Sequence, residues 1–153
     1  MTQNEKAFLD MIAWAELGPE LIKLSDNGFN VIVGSTPNKP ILFHDYSDHP
    51  RVYVKPMRST AAGAFQILKR YFDYYKVALE LPDFGHDSQR KIALQMIKEC
   101  KALEDINSGW IQRAIVKTKS RWASFPGADY GQHEHKMEDL LKAYQSAGGM
   151  LAK

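Results

Sequence analysis

Close to the N-terminus the apolar positions repeat with a helical period. Phe8, Met11, Ile12 and Ala15 stand at i, i+3, i+4 and i+7, one face of an amphipathic helix that Gly18-Pro19 stops. The pattern then breaks up. Asn27-Gly28, the run from Gly34 to Pro40 and His49-Pro50 are turn signals. Between them, residues 29–33 and 41–43 read as short strands, with residues 51–54 available as a third, enough for a small antiparallel sheet.

Beyond Arg58 the period is helical again. Phe65, Leu68, Phe72, Tyr75 and Leu79 predict a helix opened by Ser59-Thr60 and ended by Pro82. Asp87 or Ser88 can cap the next helix, without a capping box because Arg90 and Lys91 stand three residues on. Its buried face is Ile92, Met96, Ile97, Cys100 and Leu103. Ser108 can cap a shorter helix built on Ile111, Ala114 and Ile115. Met137, Leu140, Leu141 and Tyr144 line a last helix that ends at Gly148-Gly149. One helix, a small sheet, then several helices is an α+β pattern. It predicts a single domain over residues 1–153, with a mainly helical lobe, a small β-sheet lobe and a ligand cleft between them.

Composition narrows the function. With 153 residues, 44% hydrophobic and 25% charged, the chain reads as an ordinary globular protein without repeats. Its lone Cys100 can form no internal disulfide and reads as a buried structural thiol. No apolar run is long enough to cross a bilayer, and the N-terminus lacks signal-peptide architecture, so a cytoplasmic site of synthesis is expected. The net charge is +2, with 9 basic and 10 acidic groups in residues 1–85 and 11 basic and 8 acidic in residues 86–153. That excess suits an anionic partner such as a cell wall and is too small to argue for nucleic acid. There is no C-x-x-C, H-E-x-x-H or EF-hand pattern, and the His133/His135 pair alone does not make a metal site. No G-x-S-x-G elbow, P-loop or G-x-G-x-x-G is present.

Glu16 is the strongest candidate for chemistry. It lies just off the edge of the first helix's apolar stripe, in the last turn. Core neighbours and the negative end of the helix dipole both oppose its ionisation. A carboxyl that keeps its proton near neutral pH suits a general acid acting on a glycosidic bond. A second carboxylate, if needed, could come from Asp26, Asp45 or Asp48, although turn formation explains the last two. Ser59 to Gln66 is a block of small residues ending in an amide that can meet sugar hydroxyl and N-acetyl groups. Residues 122–132 form an aromatic loop in which Tyr130 is the best candidate for exposure, while Trp122 and Phe125 read as core anchors.

In order along the chain, several segments resemble one family. They are Ala7 to Trp14 with Glu16, Val31-Ile32-Val33-Gly34, Asp45 to Arg51, and Ser59 to Gly63 with Gln66. Leu81 to Phe84, Ser88-Gln89, Ala93-Leu94-Gln95, Trp122-Ala123-Ser124, Pro126-Gly127-Ala128, Tyr130-Gly131-Gln132 and Glu134-His135-Lys136 follow. The chain is similar in these to the lambda-type phage endolysins, the lytic transglycosylases of glycoside hydrolase family 104. The resemblance implies a lysozyme-like α+β fold, peptidoglycan glycan strands as substrate and no metal or cofactor. The family's catalytic glutamate maps onto Glu16, its sugar-contacting glutamine and loop tyrosine onto Gln66 and Tyr130. Ser47, His49 and Ser59, in the matching segments, are expected to bind substrate as well.

The expected reaction is cleavage of the β-1,4 bond between N-acetylmuramic acid and N-acetylglucosamine with formation of 1,6-anhydromuramic acid. The alternative is a hydrolytic muramidase (lysozyme) using water. A non-catalytic wall-binding module and a membrane-disrupting C-terminal helix are the rivals from other classes. The resemblance further implies a monomer without membrane anchoring that waits in the host cytoplasm and reaches the wall through a separate holin. Three positions depart from the family: Leu17 in place of glycine, Asn30 in place of aspartate and His133 in place of phenylalanine.

Overall fold

The structure is a computed structural model describing residues 1–129 and 133–153. Its helices are α1 (Gln3–Leu17), α2 (Pro19–Leu24), α3 (Lys69–Ala78), α4 (His86–Glu99), α5 (Leu103–Asn107), α6 (Ile111–Thr118) and α7 (Met137–Ser146). The chain divides into two compact units, one of Met1–Glu16 with Ala93–Lys153 and one of Leu17–Ile92.

In the first unit α1 behaves as its spacing dictates. Phe8, Met11, Ile12 and Ala15 are buried, and Ala7, Leu9 and Ala13 join them, so most of the helix surface is in core. Its start is closed by a capping box. Thr2 Oγ1 accepts from the Glu5 amide at 3.1 Å, while Glu5 Oε1 accepts from the Thr2 amide at 3.3 Å. Asn4 ties this end to distant chain, donating to the Ile106 carbonyl at 2.9 Å and accepting from the Met150 amide at 3.1 Å. Leu140 and Tyr144 bury the inner face of α7, and the Tyr144 hydroxyl donates to the Met150 carbonyl at 2.8 Å. The helix stops where expected, with Gly148 at φ +96°. Ser108, expected to cap α6, instead follows the end of α5. Trp110 precedes α6, with no side-chain cap. Cys100 lies just past α4 and is half-buried rather than sealed in core.

The second unit departs further from expectation. Gly18-Pro19 ends α1, but Pro19 then opens α2, because proline's fixed φ and missing N–H suit the first helical position. The helix expected from Ser59-Thr60 onward begins only at Lys69. Residues 59–68 are non-helical, a turn at residues 63–66 flanked by single bridges, with Gly63 at φ +86° and Gln66 at φ +50°. The cause lies far along the chain. Gln89 is fully buried, its Oε1 accepts from the Ala64 amide at 3.0 Å, and its Nε2 donates to the carbonyls of Phe29 and Phe84 at 3.0 and 2.9 Å. Those bonds hold the chain in a form that helical pairing could not satisfy. Ser88, offered as a cap, lies inside α4 and donates to Asp83 Oδ1 at 2.8 Å.

The expected β-sheet lobe is not formed. Among the described residues, pairing is confined to isolated antiparallel bridges: Val31 with Leu42, Ile32 with Ala62, Thr36 with Lys39, Val54 with Ser59 and Ala62 with Ile67. The apolar pieces are too interrupted for a ladder. Pro40 lacks an N–H, Gly28, Gly34 and Arg51 have positive φ, and a 3-10 turn at Lys55–Met57 separates Val54 from Ser59. The fold is therefore mainly helical, with a bridged loop region where strands were expected. Among the described residues no helix is long and apolar enough to cross a membrane.

Candidate active site

Glu16 is the penultimate residue of α1, half-buried as a residue, with its carboxyl set among protein atoms. Two residues from far along the chain close on this helix end. The Ser124 hydroxyl donates to Glu16 Oε2 at 2.6 Å, and Ser124 itself is buried. His135 Nε2–H donates at 2.9 Å to the carbonyl of Ala15, one of the last-turn oxygens left without an intrahelical partner. The His135 ring lies 4.8 Å from that of Trp14. The two residues are also joined to each other, since the His135 amide donates to the Ser124 carbonyl at 2.8 Å.

The loop that delivers Ser124 is held from within. Glu134 accepts from the amides of Gly127 and Asp129, each at 2.9 Å, and these bonds keep its carboxyl below the usual glutamate range. Trp122 and Phe125 are buried, as their reading as core anchors expects. Tyr130 lies outside the described residues. His133, one of the family departures, is exposed with its ring 5.3 Å from that of His135.

Burial pushes the Glu16 carboxyl up from 4.5 to about 7, and the Ser124 hydroxyl opposes part of that rise. The bond also decides which oxygen is available. Ser124 donates to Oε2, which leaves Oε1 as the oxygen that can carry the carboxyl proton. The serine and histidine carried no assigned role in the sequence reading. Their sequence signals are their places in Trp122-Ala123-Ser124 and Glu134-His135-Lys136 and, for His135, the pairing with His133.

The other sequence candidates lie in the second unit. Gln66 is half-buried, and its Nε2 donates to the carbonyls of Gly63 and Val31 at 2.9 and 3.3 Å. Ser59 Oγ accepts from the Ala61 amide at 3.0 Å. Ser47 is exposed, its amide donating to Asp45 Oδ1 at 2.8 Å. His49 is buried with both ring nitrogens engaged. Nδ1 accepts from the Arg51 amide at 2.9 Å, so Nε2 carries the hydrogen and donates to the Ile67 carbonyl at 3.0 Å.

Of the possible second carboxylates, Asp26 accepts from the Tyr46 hydroxyl at 2.7 Å and His86 Nε2–H at 2.6 Å. Asp45 is bonded to Ser47, and Asp48 to Arg51 Nε at 2.7 Å. In each case these bonds hold the carboxyl below its ordinary range. The remaining departures are structural in setting. An added Cβ at Gly28 would come within 2.7 Å of Leu17 Cδ1, and buried Asn30 accepts from the Asp26 amide at 2.9 Å. No cluster of three or more metal-ligating side chains occurs among the described residues.

Known proteins resemble this chain over nearly all of its length. A family model described as Endolysin matches residues 6–151. The chain is 42% identical over 158 residues to an endolysin of Escherichia phage P2, covering 98% of this chain and 96% of that protein. It is 46% identical over 154 residues to an endolysin of Escherichia phage lambda, covering 97% and 94%. A structure of bacteriophage lambda lysozyme complexed with a chitohexasaccharide has a TM-score of 0.88 and 43% identity, covering 99% of this chain and 97% of that one. A second structure of lysozyme from bacteriophage lambda has a TM-score of 0.86 at the same identity.

Proposed function

This chain belongs to the endolysin family, and on that premise we propose that it cleaves the glycan strands of bacterial peptidoglycan for phage-driven lysis of the host cell. The bond broken is the β-1,4 linkage between N-acetylmuramic acid and N-acetylglucosamine, and Glu16 is the catalytic residue. The observation that carries this reading is the Glu16 carboxyl itself, raised to about 7 by burial and held through one oxygen by Ser124. Such a group keeps enough proton near neutrality to act as an acid and loses it readily enough to act as a base. The relative complexed with a chitohexasaccharide supports a glycan as the substrate.

In the proposed sequence Glu16 gives its proton to the bridging oxygen as the bond to the muramic C1 breaks. The substrate's own 2-acetamido oxygen stabilises the positive charge developing at C1, so no protein nucleophile is required. Glu16, now a carboxylate, takes the proton from the muramic C6 hydroxyl, and that oxygen bonds to C1. The products are a 1,6-anhydromuramic end and a free N-acetylglucosamine end. The acid is regenerated and no water is consumed. Ser124 and His135 are positioning residues, one fixing the carboxyl and the other the helix end that carries it. Gln66, Tyr130, Ser47 and Ser59 bind the saccharide in this reading. His49, with both nitrogens bonded to main chain, shapes the loop that presents Ser47.

The family match runs through both units, which supports residues 1–153 acting as one catalytic domain. The protein would act as a monomer, without cofactor or membrane anchor, accumulating in the host cytoplasm until a separate holin opens the way to the wall. Mass spectrometry of digested sacculi, with wild type and Glu16→Gln in parallel, tests the proposal. It expects muramic ends one water lighter than hydrolysis gives and no product from the variant. Reducing muramic ends would establish hydrolysis by water instead, and undiminished cleavage by the variant would remove Glu16 from the chemistry.

A further inference from the structure

The first unit carries a groove that shares no residue with the Glu16, Ser124 and His135 group. It is lined by Gln112, Arg113, Val116 and Lys117 of α6 and Met137 at the start of α7, with a volume of about 480 Å³. Beside it Trp110, immediately before α6, leaves 49% of its surface exposed, and Val116 leaves 51%. The Arg113 guanidinium lies 6.0 Å from the Trp110 ring centre. Trp110's main chain is fixed by its amide, which donates to the Asp105 carbonyl at 2.8 Å, so the indole is a flat surface on a firm base. Two cations share the single buried carboxylate of Asp105: Lys117 at 2.5 Å and Arg113 at 3.3 Å. Lys117 has a second partner in the Lys101 carbonyl at 3.1 Å, whereas the Arg113 side chain remains 62% exposed. The groove therefore offers an amide, a short apolar floor and one cation in excess, with the Trp110 ring next to that cation.

We propose that this groove, with the Trp110 ring at its side, is an accessory docking site for a second stretch of wall glycan, held by a sugar face on Trp110 and by a stem-peptide carboxylate on Arg113. The proposal rests on peptidoglycan being the substrate and concerns how the enzyme stays on an insoluble polymer. Charge complementarity favours this occupant, because the stem peptides borne by the wall glycan carry free carboxylates, and the more exposed of the two cations is the one next to the indole. Two exposed apolar side chains flanked by an amide and two cations are too little apolar surface to enter a bilayer.

The test compares wild type with Trp110→Ala, Trp110→Tyr and Arg113→Gln, each combined with Glu16→Gln for binding and left alone for activity. Binding is measured by co-sedimentation with purified sacculi. Activity is measured on sacculi and on a short soluble glycan of alternating N-acetylglucosamine and N-acetylmuramic acid. Trp110→Ala and Arg113→Gln should weaken retention on sacculi about tenfold, the size of a contributing interface contact short of a hot spot. Trp110→Tyr should restore most of it, and cleavage of the short soluble glycan should be unchanged. Unaltered retention in Arg113→Gln, an exposed replacement that leaves the core untouched, would overturn the proposal whatever happens to the Trp110 variants. Loss of binding to phosphatidylglycerol vesicles but not to sacculi would assign the face to lipid, and a Trp110-dependent dimer in sedimentation would assign it to a second copy. Both outcomes overturn the proposal. Because retention is read in the Glu16→Gln background, it is independent of whether the enzyme cleaves the wall as proposed.

Discussion

Replacing Glu16 by glutamine should make the protein more stable, and by an amount that depends on pH. The carboxyl titrates at about 7 in the folded chain against 4.5 for an unperturbed glutamate. Below pH about 4.5 the group is protonated both folded and unfolded, and burial costs nothing extra. Between about 4.5 and about 7 the unfolded chain gives up its proton first, so folding stability falls as pH rises. Above about 7 both states are ionised and the cost is constant. At 1.36 kcal/mol per unit the full cost is about 3 kcal/mol. Glutamine is nearly isosteric, keeps an oxygen to accept from Ser124 and has no proton to lose.

The stability difference between variant and wild type should therefore grow by about 3 kcal/mol from pH 4 to pH 8. For a chain of this size that corresponds to roughly 6 to 12 °C in Tm at the upper end. Urea unfolding at half-unit pH steps gives the difference directly, with all other titrating groups cancelling. A difference flat to within about 0.5 kcal/mol over that range would mean that the carboxyl is solvated like a surface glutamate. The account of Glu16 as a poised acid would then fail together with the stability prediction, since one desolvation cost underlies both.

Ser124→Ala removes the bond that lowers the Glu16 pKa, so the alkaline limb of the pH–rate profile should move to higher pH, with kcat reduced on the order of tenfold; an unmoved limb would refute the coupling. Gly63→Ala places a Cβ at φ +86° onto the Gln89 side-chain amide and should cost at least about 3 kcal/mol in urea unfolding, whereas a cost under about 1 kcal/mol would show that the Gln89 hub yields easily. Arg51 bonds Asp48 and Asp73 and lowers both carboxyls, so it adds stability above pH about 4 that is lost as pH falls through their depressed values. With these groups largely exposed, Arg51→Gln should cost about 1 kcal/mol or less at pH 7, and nothing measurable at pH 2.

The chain's local rules were legible wherever a face or a cap is set by near neighbours. The stripe Phe8, Met11, Ile12 and Ala15, the stop at Gly18-Pro19 and the end of α7 at Gly148 follow from spacing and φ preference, and each is present. The same rules misjudged residues 59–68, because the competitor for those main-chain groups is Gln89, twenty-five residues beyond Ala64. They also overstated the sheet. Short apolar runs resemble strands, yet Pro40 and the positive-φ residues around them leave only single bridges.

Glu16 shows the same division within one residue. By itself the sequence determined that a carboxyl stands in the last turn of an amphipathic helix, at the margin of its buried stripe, since a period of about 3.6 residues sets direction around the axis. Only the tertiary structure decided how far that carboxyl is cut off from water and which of its oxygens is engaged. Those depend on Ser124, 108 residues away, and on a loop tied by Glu134 and His135. Helical direction is a property of neighbours along the chain. Desolvation is a property of whatever packs in three dimensions, and no spacing within the first helix encodes it.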